Sequence, residues 1–392
     1  MRKESYLLSR IASLLKDIRL SFPEKEIAMS YNWHIEFNMV ENMMKQLKAV
    51  DFFCGGGGMS YGLQKAGIRI LAGIDYEINC KETYETNIKG ASFIHANVFE
   101  LTEKELEKTL DISRKDDNLI LVGCSPCQYW SVIRTSKEKS EKSKSLLSEF
   151  QRFVEYFVPG YVVVENVPGI FTRQEESGLD IFVRRLEELG YTVHFGIHNT
   201  KNYGVPQSRK RFTLIANRVT QDKLEPLELK DKVLTVRDVL GEKNGFPKIP
   251  AGHQDVSEYL HSCAGLSEIN IRRLRLVPKD GGTRLAFADR PDLQLKCFIG
   301  KDNYFKDTFG RLWWDQPSPT ITTKFFSISN GRFAHPEEDR ALSLREGATL
   351  QSFPKDYVFK AKGREAIARL IGNAVPPKYA EQIGKAIISN LK

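Results

Sequence analysis

The stretch that decides the fold is Ala49-Val-Asp-Phe-Phe-Cys-Gly-Gly-Gly-Gly58. Residues 49–53 form a short, mostly apolar run of the kind that a buried strand contains. The four glycines after it predict a turn whose backbone a ligand can approach closely. The pattern over 60–66 predicts a helix. A strand, a glycine-rich turn and a helix in this order predict the first unit of an α/β fold.

The alternation of strands and helices continues outward from this unit as far as Ala216. The sequence predicts strands over 70–74, 119–122, 161–164, 191–197 and 212–215. It predicts helices over 77–87, 146–157 and 179–189. This pattern predicts an α/β fold with a mostly parallel, doubly wound sheet that has helices on both faces. In such sheets, ligands bind at the carboxyl ends of the strands.

The glycine turn and the end of the next strand predict an adenosine-like cofactor. No dinucleotide motif fits the turn, because Ser60 and Tyr61 stand where its third glycine is required. Asp75 ends the next strand, where a carboxylate can accept hydrogen bonds from ribose hydroxyls. Tyr76 beside it offers a ring that can stack on an adenine. The cofactor therefore need not contain a pyrophosphate.

The composition excludes several classes of protein. The chain has 392 residues, a formal net charge of +8 and an isoelectric point of about 9.0, which fits a polyanionic partner. Six cysteines are too sparse for a disulfide framework, and the single Cys-x-x-Cys pair lacks the second pair of a zinc site. No apolar run approaches the ~20 residues of a membrane span, and no secretory signal is evident. We expect a cytoplasmic chain without a metal or a membrane.

The chain divides into segments of different character. Residues 1–46 predict an N-terminal helical extension that serves packing or self-association. The strand–helix alternation occupies 47–220. Residues 221–340 are rich in glycine, proline and charge, and predict a smaller irregular domain with short strands. Regularity returns in 341–392, which ends in a helix over 378–390 entered through two prolines.

Two polar motifs follow predicted strands. Gly123-Cys-Ser-Pro-Cys-Gln128 puts Cys127 at a strand–loop junction, where a nucleophilic role requires a thiol pKa below the free value of about 8.5. A redox pair with Cys124 and a buried structural cysteine are the alternatives. Glu165 follows three valines, and a carboxylate there is costly to bury without a partner or a task. A surface acid that caps the next turn is the alternative for Glu165.

A third motif is basic. Gln207, Arg209 and Arg211 alternate in the sequence, so an extended backbone would point them to one side. Guanidinium groups on one face suit a carbonyl oxygen or a phosphate. Taken alone, this motif is equally typical of a solvated basic edge.

These motifs occur in one chain together with Gln351-Ser-Phe-Pro354 and Gly372-Asn-Ala-Val-Pro-Pro377. In this combination and order they resemble the cytosine-5 DNA methyltransferase family, of the bacterial type II restriction–modification kind. The resemblance covers about 48–218 and 311–392. It implies a Rossmann-like, S-adenosylmethionine-dependent catalytic domain at 47–220 and a target-recognition domain at 221–340. It also implies that 341–392 returns to the catalytic domain.

The resemblance implies a role for individual residues. The residues implied to be catalytic are Cys127 as the nucleophile, Glu165 as the acid at the cytosine ring, and Arg209 and Arg211. The residues implied to hold the methyl donor are Phe53, Gly55, Gly57, Asp75, Tyr76, Asn97, Pro126, Asn373 and Val375. Asn97 stands where the family usually has an aspartate, so this contact departs from the family pattern.

The implied partner is double-stranded DNA that contains a specific target cytosine, bound by a monomer in the bacterial cytoplasm or nucleoid. A restriction endonuclease would be a genetic partner only. The basic loop over 131–145 suits phosphate contacts, and arginines in 271–290 suit guanine or phosphate. The residues expected to contact DNA are Gln128, Ser131, Arg134, Gln207, Arg272, Arg273 and Arg275.

Three other functions remain open at this point. An RNA (tRNA) cytosine-5 methyltransferase would use the same chemistry, although the long 221–320 insert favours duplex DNA. A catalytically silent DNA-binding homologue would keep the fold, although the retained Cys127 and Glu165 argue against it. A thiol–disulfide enzyme would use Cys124 and Cys127, although Gln128 and Tyr129 stand where a helix should start.

Overall fold

The computed structural model of the protein describes residues 46–125, 145–230, 233–300 and 303–391. The predicted N-terminal helices lie outside the described residues. The strands are β1 (Lys48–Phe52), β2 (Arg69–Asp75), β3 (Ser92–His95), β4 (Leu119–Gly123), β5 (Tyr161–Asn166), β6 (Thr192–Asn199) and β7 (Lys210–Asn217). The helices are α1 (Gly58–Ala66), α2 (Lys81–Asn87), α3 (Glu103–Leu110), α4 (Leu146–Phe157), α5 (Gly169–Thr172), α6 (Gln174–Ser177), α7 (Leu179–Glu188), α8 (Val236–Val239), α9 (Glu268–Leu276), α10 (Leu344–Leu350), α11 (Arg364–Asn373) and α12 (Pro377–Ser389).

The strands form one seven-stranded sheet in the order β3-β2-β1-β4-β5-β7-β6. The pairs from β3 to β5 are parallel, whereas β7 runs antiparallel to both β5 and β6. The predicted α/β class with a mostly parallel sheet is therefore confirmed. The carboxyl ends of β1, β2, β4 and β5 meet at one edge, which is where the polar motifs begin.

Helices cover both faces of the sheet, so the doubly wound arrangement is confirmed as well. Along β4, Ile120 and Val122 belong to one core cluster, whereas Leu119 and Leu121 belong to the cluster on the opposite face. A strand that is buried on both faces reads as a continuous apolar run, which explains why β4 was predictable. Helix α4 has the predicted bounds 146–157, with its aromatic face in the second cluster.

The carboxyl-terminal helix α12 packs tightly against α1 beside the glycine turn. A Cβ on Gly62 would lie 2.3 Å from the Pro377 carbonyl oxygen, and a Cβ on Gly384 would lie 2.6 Å from the Ala66 Cβ. Glycines at these positions therefore permit the close approach of the two helices. Helix α12, near the end of the chain, therefore lies beside the glycine turn with which the sequence analysis began.

The sequence analysis did not predict four of the strands and α-helices between residues 47 and 220, namely β3, α3, α5 and α6. Strand β3 has four residues at the edge of the sheet, too few for a periodic signal. Helix α3 begins with a capping box, in which Thr102 and Glu105 bind each other's backbone N–H groups. This signature was legible in the sequence as Thr-x-x-Glu.

The expected short strands within 221–340 were wrong. In the described part of this segment, pairing is limited to isolated bridges, such as the one between Arg311 and Ala334. Buried arginines connect the loops instead. The Arg311 guanidinium donates to the carbonyl oxygens of Val277 and Leu274 at 3.1 and 2.8 Å. Hydrogen bonds from such side chains replace the ladder that a sheet would supply.

From Leu47 onward the chain forms one compact unit. The division into a catalytic domain, a target-recognition domain and a returning segment stays a prediction. Among the described residues, no helix combines the length and the apolarity that crossing a membrane requires.

Candidate active site

The glycine turn bends through conformations that leave its backbone open. Phe53, Gly55 and Gly57 all have positive φ angles, of 63°, 51° and 84°. A Cβ on Gly57 would lie 2.9 Å from the Tyr357 hydroxyl, whereas a Cβ on Gly55 would meet nothing within 4 Å. One side of the turn is therefore packed, and the side at Gly55 has room for a ligand.

Asp75 lies at the end of β2, opposite this turn. The Gly55 N–H donates to Oδ2 and the Glu77 N–H donates to Oδ1, each at 2.9 Å. Burial raises the pKa of Asp75, and these two backbone donors oppose the rise. A carboxylate has about four acceptor positions, so Asp75 retains capacity for two further donors, such as ribose hydroxyls.

A cleft of about 500 Å³ opens beside Asp75. Its lining residues are Tyr76, His95, Ala96, Asn97, Glu100 and Leu101. The Tyr76 side chain is 66% exposed, and its ring is therefore free to cover a planar group. Asn97 uses its amide within its own turn, since Nδ2 donates to Glu100 and Oδ1 accepts from the Phe99 N–H. The cleft suits an adenosine, with one acceptor position left on the Asn97 oxygen.

The closing motif borders the same turn. A Cβ on Gly58 would lie 2.3 Å from the Val375 carbonyl oxygen, and Val375 itself is buried. Asn373 is exposed at the end of α11. The structure thus brings Val375 to the glycine turn, and its contact with a cofactor stays a prediction.

Glu165 occupies the end of β5 and is 6% exposed. The Arg211 Nε on β7 lies 3.0 Å from Oε1 of Glu165. This contact is an ion pair, and Oε1 has no hydrogen-bond donor among the described residues. Burial raises the pKa of Glu165, and the charges of Arg211 and Arg209 oppose the rise. The net effect is a pKa of Glu165 above its usual value.

Arg209 and Gln207 face the interior. The Arg209 guanidinium donates to the carbonyl oxygens of Ile321 at 2.9 Å and Gly372 at 3.0 Å. Gln207 is fully buried, and its amide binds Gln351 and the Ile321 N–H. This placement contradicts the expectation that Gln207 contacts DNA, because no polar atom of its side chain is left at the surface. Of the three alternating residues, Arg211 is the one beside Glu165.

The start of the cysteine motif is tied to the end of β5. Asn166 Nδ2 donates to the carbonyl oxygen of Ser125 at 3.2 Å and contacts its hydroxyl at 3.1 Å. Burial raises the pKa of the Cys124 thiol well above its usual value, so this thiol stays neutral. Such a group is a poor nucleophile. The predicted site residues Pro126, Cys127, Gln128, Ser131 and Arg134 lie outside the described residues.

The sequence analysis missed three residues that shape the site. Asp51 is the second-last residue of β1 and fully buried, and burial raises its pKa to about 7. It accepts a hydrogen bond from the Ser60 hydroxyl at 2.6 Å. The sequence signal for Asp51 was a single acidic residue within an otherwise apolar strand. Thr213 lies two residues after Arg211, a spacing that predicts the same side, whereas no sequence signal pointed to its hydrogen-bond partner Tyr379.

The three arginines expected to read DNA lie on α9 in different environments. Arg272 pairs with Asp292 at 2.7 Å and is half exposed. Arg273 is 7% exposed and donates to the Leu293 carbonyl oxygen at 2.6 Å. Arg275 is exposed. Burial of Arg273 does not fit a DNA contact, whereas Arg272 and Arg275 remain accessible.

The chain matches the family model of the C-5 cytosine-specific DNA methylases over residues 47–389. It is 37% identical to the type II methylase M.HgiDII of Herpetosiphon aurantiacus, over 86% of this chain and 94% of that protein. It is 30% identical to the type II methyltransferase M1.HphI of Haemophilus parahaemolyticus, over 87% of each chain. The family match includes the glycine turn, the Glu165 motif and the closing motif.

Solved structures show the same fold. A chain described as a DNA modification methyltransferase encoded within an Escherichia coli prophage superposes with a TM-score of 0.68. The two chains share 22% sequence identity over 88% of this chain and 99% of that one. At this identity the likeness concerns the architecture.

Proposed function

The chain belongs to the C-5 cytosine-specific DNA methylase family and is a DNA cytosine-5 methyltransferase; from this premise we propose how it works. The enzyme transfers a methyl group from S-adenosylmethionine to C5 of a flipped-out cytosine in a specific DNA sequence. The reaction passes through a covalent bond between Cys127 and C6 of the ring. The observation that carries this proposal is the buried Glu165–Arg211 pair at the carboxyl edge of the sheet.

The cleft beside Asp75 holds the methyl donor in this proposal. Asp75 accepts hydrogen bonds from the ribose hydroxyls, and Tyr76 covers the adenine. Phe53, Gly55 and Gly57 line the remainder of the donor, with Val375 and Asn373 at the closing edge. S-adenosylmethionine supplies an electrophilic methyl group on its sulfonium. The fit rests on the open space at Gly55 and the acceptor positions left on Asp75.

Three residues, Cys127, Glu165 and Arg211, activate the cytosine in this proposal. The Cys127 thiolate attacks C6, and the electron pair of the C5–C6 double bond moves to C5. Glu165 shares its proton with N3 and stabilises the charge that develops on the ring. The raised pKa of Glu165 supports this role, because a carboxyl group must carry a proton in order to share it. Arg211 fixes the carboxyl group in place.

The remaining steps restore the aromatic ring. C5 would take the methyl group from the sulfonium of S-adenosylmethionine held at Asp75 and Tyr76, which would leave a neutral thioether. A base then removes the proton from C5, the C5–C6 double bond re-forms, and Cys127 departs as a thiolate. Glu165 recovers its proton from N3. Every bond that forms is thereby matched by one that breaks, and no oxidant is required.

The target base must leave the duplex before these steps. C5 and C6 of a stacked cytosine are shielded within the helix, and extrusion costs a few kcal/mol. We propose that Gln128, Ser131 and Arg134 close over the DNA next to Cys127, and that Arg272 and Arg275 contribute to target recognition. The protein acts as a monomer on the duplex in this proposal, with a restriction endonuclease as a genetic partner only.

Bisulfite sequencing tests the function directly. DNA is taken from a host without cytosine-5 methylation that expresses the protein. We expect cytosines that resist conversion in one sequence context, and none in cells that express Cys127→Ser at equal level. Complete conversion of the DNA together with methylation of tRNA would contradict the proposal and favour the RNA enzyme.

A further inference from the structure

A second polar pair, Thr213 with Tyr379, lies on the same face of the sheet as Glu165. Strands β5 and β7 are antiparallel, and Thr213 lies directly opposite Glu165 in their register. Facing side chains in such pairs lie about 5 Å apart at their Cβ atoms. Arg211 is two residues before Thr213 and therefore shares this face. Glu165, Arg211 and Thr213 thus form one patch at the edge of the sheet.

Helix α12 covers this patch with Tyr379. The Tyr379 side chain is fully buried, and its hydroxyl lies 2.6 Å from Oγ1 of Thr213. Burial raises the pKa of Tyr379, so the phenol keeps its proton throughout the physiological range. A buried hydroxyl needs a partner, and for Tyr379 that partner is Thr213.

Glu165 is open to a further donor. Its Oε1 is buried without a hydrogen-bond donor among the described residues, and its contact with Arg211 is the ion pair. A hydrogen bond donated to a carboxylate stabilises the charged form and lowers the pKa. The Tyr379 hydroxyl of α12 contacts Thr213, which is the residue opposite Glu165 in the sheet. Either hydroxyl can donate in the contact between Thr213 and Tyr379, whereas a Tyr379 proton given to Glu165 would favour the ionised carboxylate.

We propose that Thr213 is a positioning residue: it holds the Tyr379 hydroxyl away from Glu165 and so keeps that carboxyl group able to carry a proton at neutral pH. The inference rests on the proposed function only in giving this proton a task. Without the threonine hydroxyl, Tyr379 turns its proton to the Glu165 carboxyl group. Glu165 then stays ionised, and the cytosine ring loses its acid.

The groups named below keep a fixed charge near neutral pH, whereas Asp51, which acts on the Cys124 thiol as Glu165 does, has a pKa of about 7. Arg209 and Arg211 stay cationic, and the Cys124 thiol stays neutral because burial raises its pKa. Beyond Tyr379 lie Tyr203, whose pKa burial raises, and His198, whose pKa burial lowers. A change at Thr213 therefore alters one donor and leaves the surrounding charges as they are.

Difference infrared spectroscopy reads the Glu165 proton directly. The carbonyl stretch of the protonated carboxyl is titrated in each protein, and the spectrum of the same protein with Glu165→Gln is subtracted. Thr213→Val keeps the shape of the side chain and removes its hydroxyl, whereas Thr213→Ser retains the hydroxyl. We expect the Val variant to titrate about one pH unit lower than the wild type. The Ser variant should titrate with the wild type.

The double variant Thr213→Val/Tyr379→Phe identifies the donor. Removal of the phenol should return the Glu165 titration to the wild-type position. Two results would overturn the inference: an unshifted titration in Thr213→Val, or a shift that persists in the double variant. Thr213→Ala repeats the measurement if the valine variant does not fold, as judged by its melting temperature.

Activity separates this inference from the proposed function. In single-turnover methyl transfer, the alkaline limb of the pH profile should move down by the same amount in Thr213→Val, with unchanged affinity for S-adenosylmethionine. If Glu165→Gln transfers the methyl group as fast as the wild type, the role of Glu165 fails. The infrared titration would still decide whether Thr213 governs its proton.

Discussion

Two carboxylates at the same edge of the sheet, Asp75 and Glu165, are held in opposite ways. Backbone N–H groups donate to both oxygens of Asp75. Glu165 pairs with the Arg211 guanidinium, and within the described part of the chain its Oε1 has no further donor. Burial raises the pKa of each. Backbone donors on both oxygens favour a fixed acceptor, whereas a buried ion pair with one guanidinium favours a group that exchanges a proton.

Substitution of Glu165 and substitution of Asp75 should impair different steps of the reaction. The substitution of Glu165 should have the larger effect. Replacement of Glu165 by glutamine keeps the shape and removes the exchangeable proton. We expect the rate of methyl transfer to fall by about 10²- to 10⁴-fold, the usual range for loss of a general acid. Rapid-quench measurement of a single turnover gives this rate. Calorimetry should give an unchanged affinity for S-adenosylmethionine, and a rate within threefold of wild type would break the comparison.

Asp75→Ala should show the reverse pattern. Loss of the carboxylate removes charge-assisted hydrogen bonds to the ribose, each worth about 1.5–3 kcal/mol. We expect binding of S-adenosylmethionine to weaken about tenfold or more, as measured by calorimetry on a folded variant. The methyl-transfer rate at saturating donor should change far less. An unchanged affinity would remove Asp75 from the cofactor site.

The pH dependence of methyl transfer in an Arg211→Gln variant tests how Arg211 acts on Glu165. The arginine charge stabilises the ionised form of Glu165, so its loss should raise the pKa of Glu165 further. Protonated Glu165 would then persist to higher pH, and the alkaline limb of the single-turnover profile should move up by about one unit. The affinity of the Asp75 cleft for the methyl donor serves as the matched control. A downward shift would mean that Arg211 does not act on Glu165.

The smallest effects are expected for alanine substitutions of two arginines in α9, Arg273 and Arg275. Arg273 donates to the Leu293 carbonyl oxygen in the interior, so Arg273→Ala should lower the free energy of unfolding by about 1–3 kcal/mol. Exposed Arg275→Ala should change it by less than about 0.5 kcal/mol. Chemical denaturation measures both. Arg275→Ala should weaken or relax the choice of target site, and specificity that follows the 131–145 loop instead would contradict the assignment to this segment.

The sequence predicted the parts of the fold that local patterns decide. The apolar run of β4, the amphipathic pattern of α4 and the strand–turn–helix around Gly55 each contain their own signal, and the structure has them where expected. Asp75 and Glu165 lie at one edge because parallel strands end together. Their roles in cofactor and base binding stay predictions.

The remainder depends on contacts between distant residues. Arg209 and Arg211 are identical in type, yet carbonyl oxygens of Ile321 and Gly372 bind the first while Glu165 pairs with the second. Gln207 likewise faces Gln351, which follows 144 positions later. No local sequence pattern indicates which of several polar side chains will be buried against residues that are distant in the sequence. The expected strands of 221–340 were wrong for the same reason, since buried arginines determine the loops there.

The central claim is that Cys127 attacks C6 while methyl is delivered to C5, and a duplex with 5-fluorocytosine at the target position tests it most directly. Fluorine cannot leave as a cation, so the ring should accept the methyl group and then remain bonded to the sulfur. We expect a protein–DNA adduct that survives denaturant, forms with Cys124→Ser and is absent with Cys127→Ser. An adduct that persists in Cys127→Ser but disappears in Cys124→Ser would contradict the account.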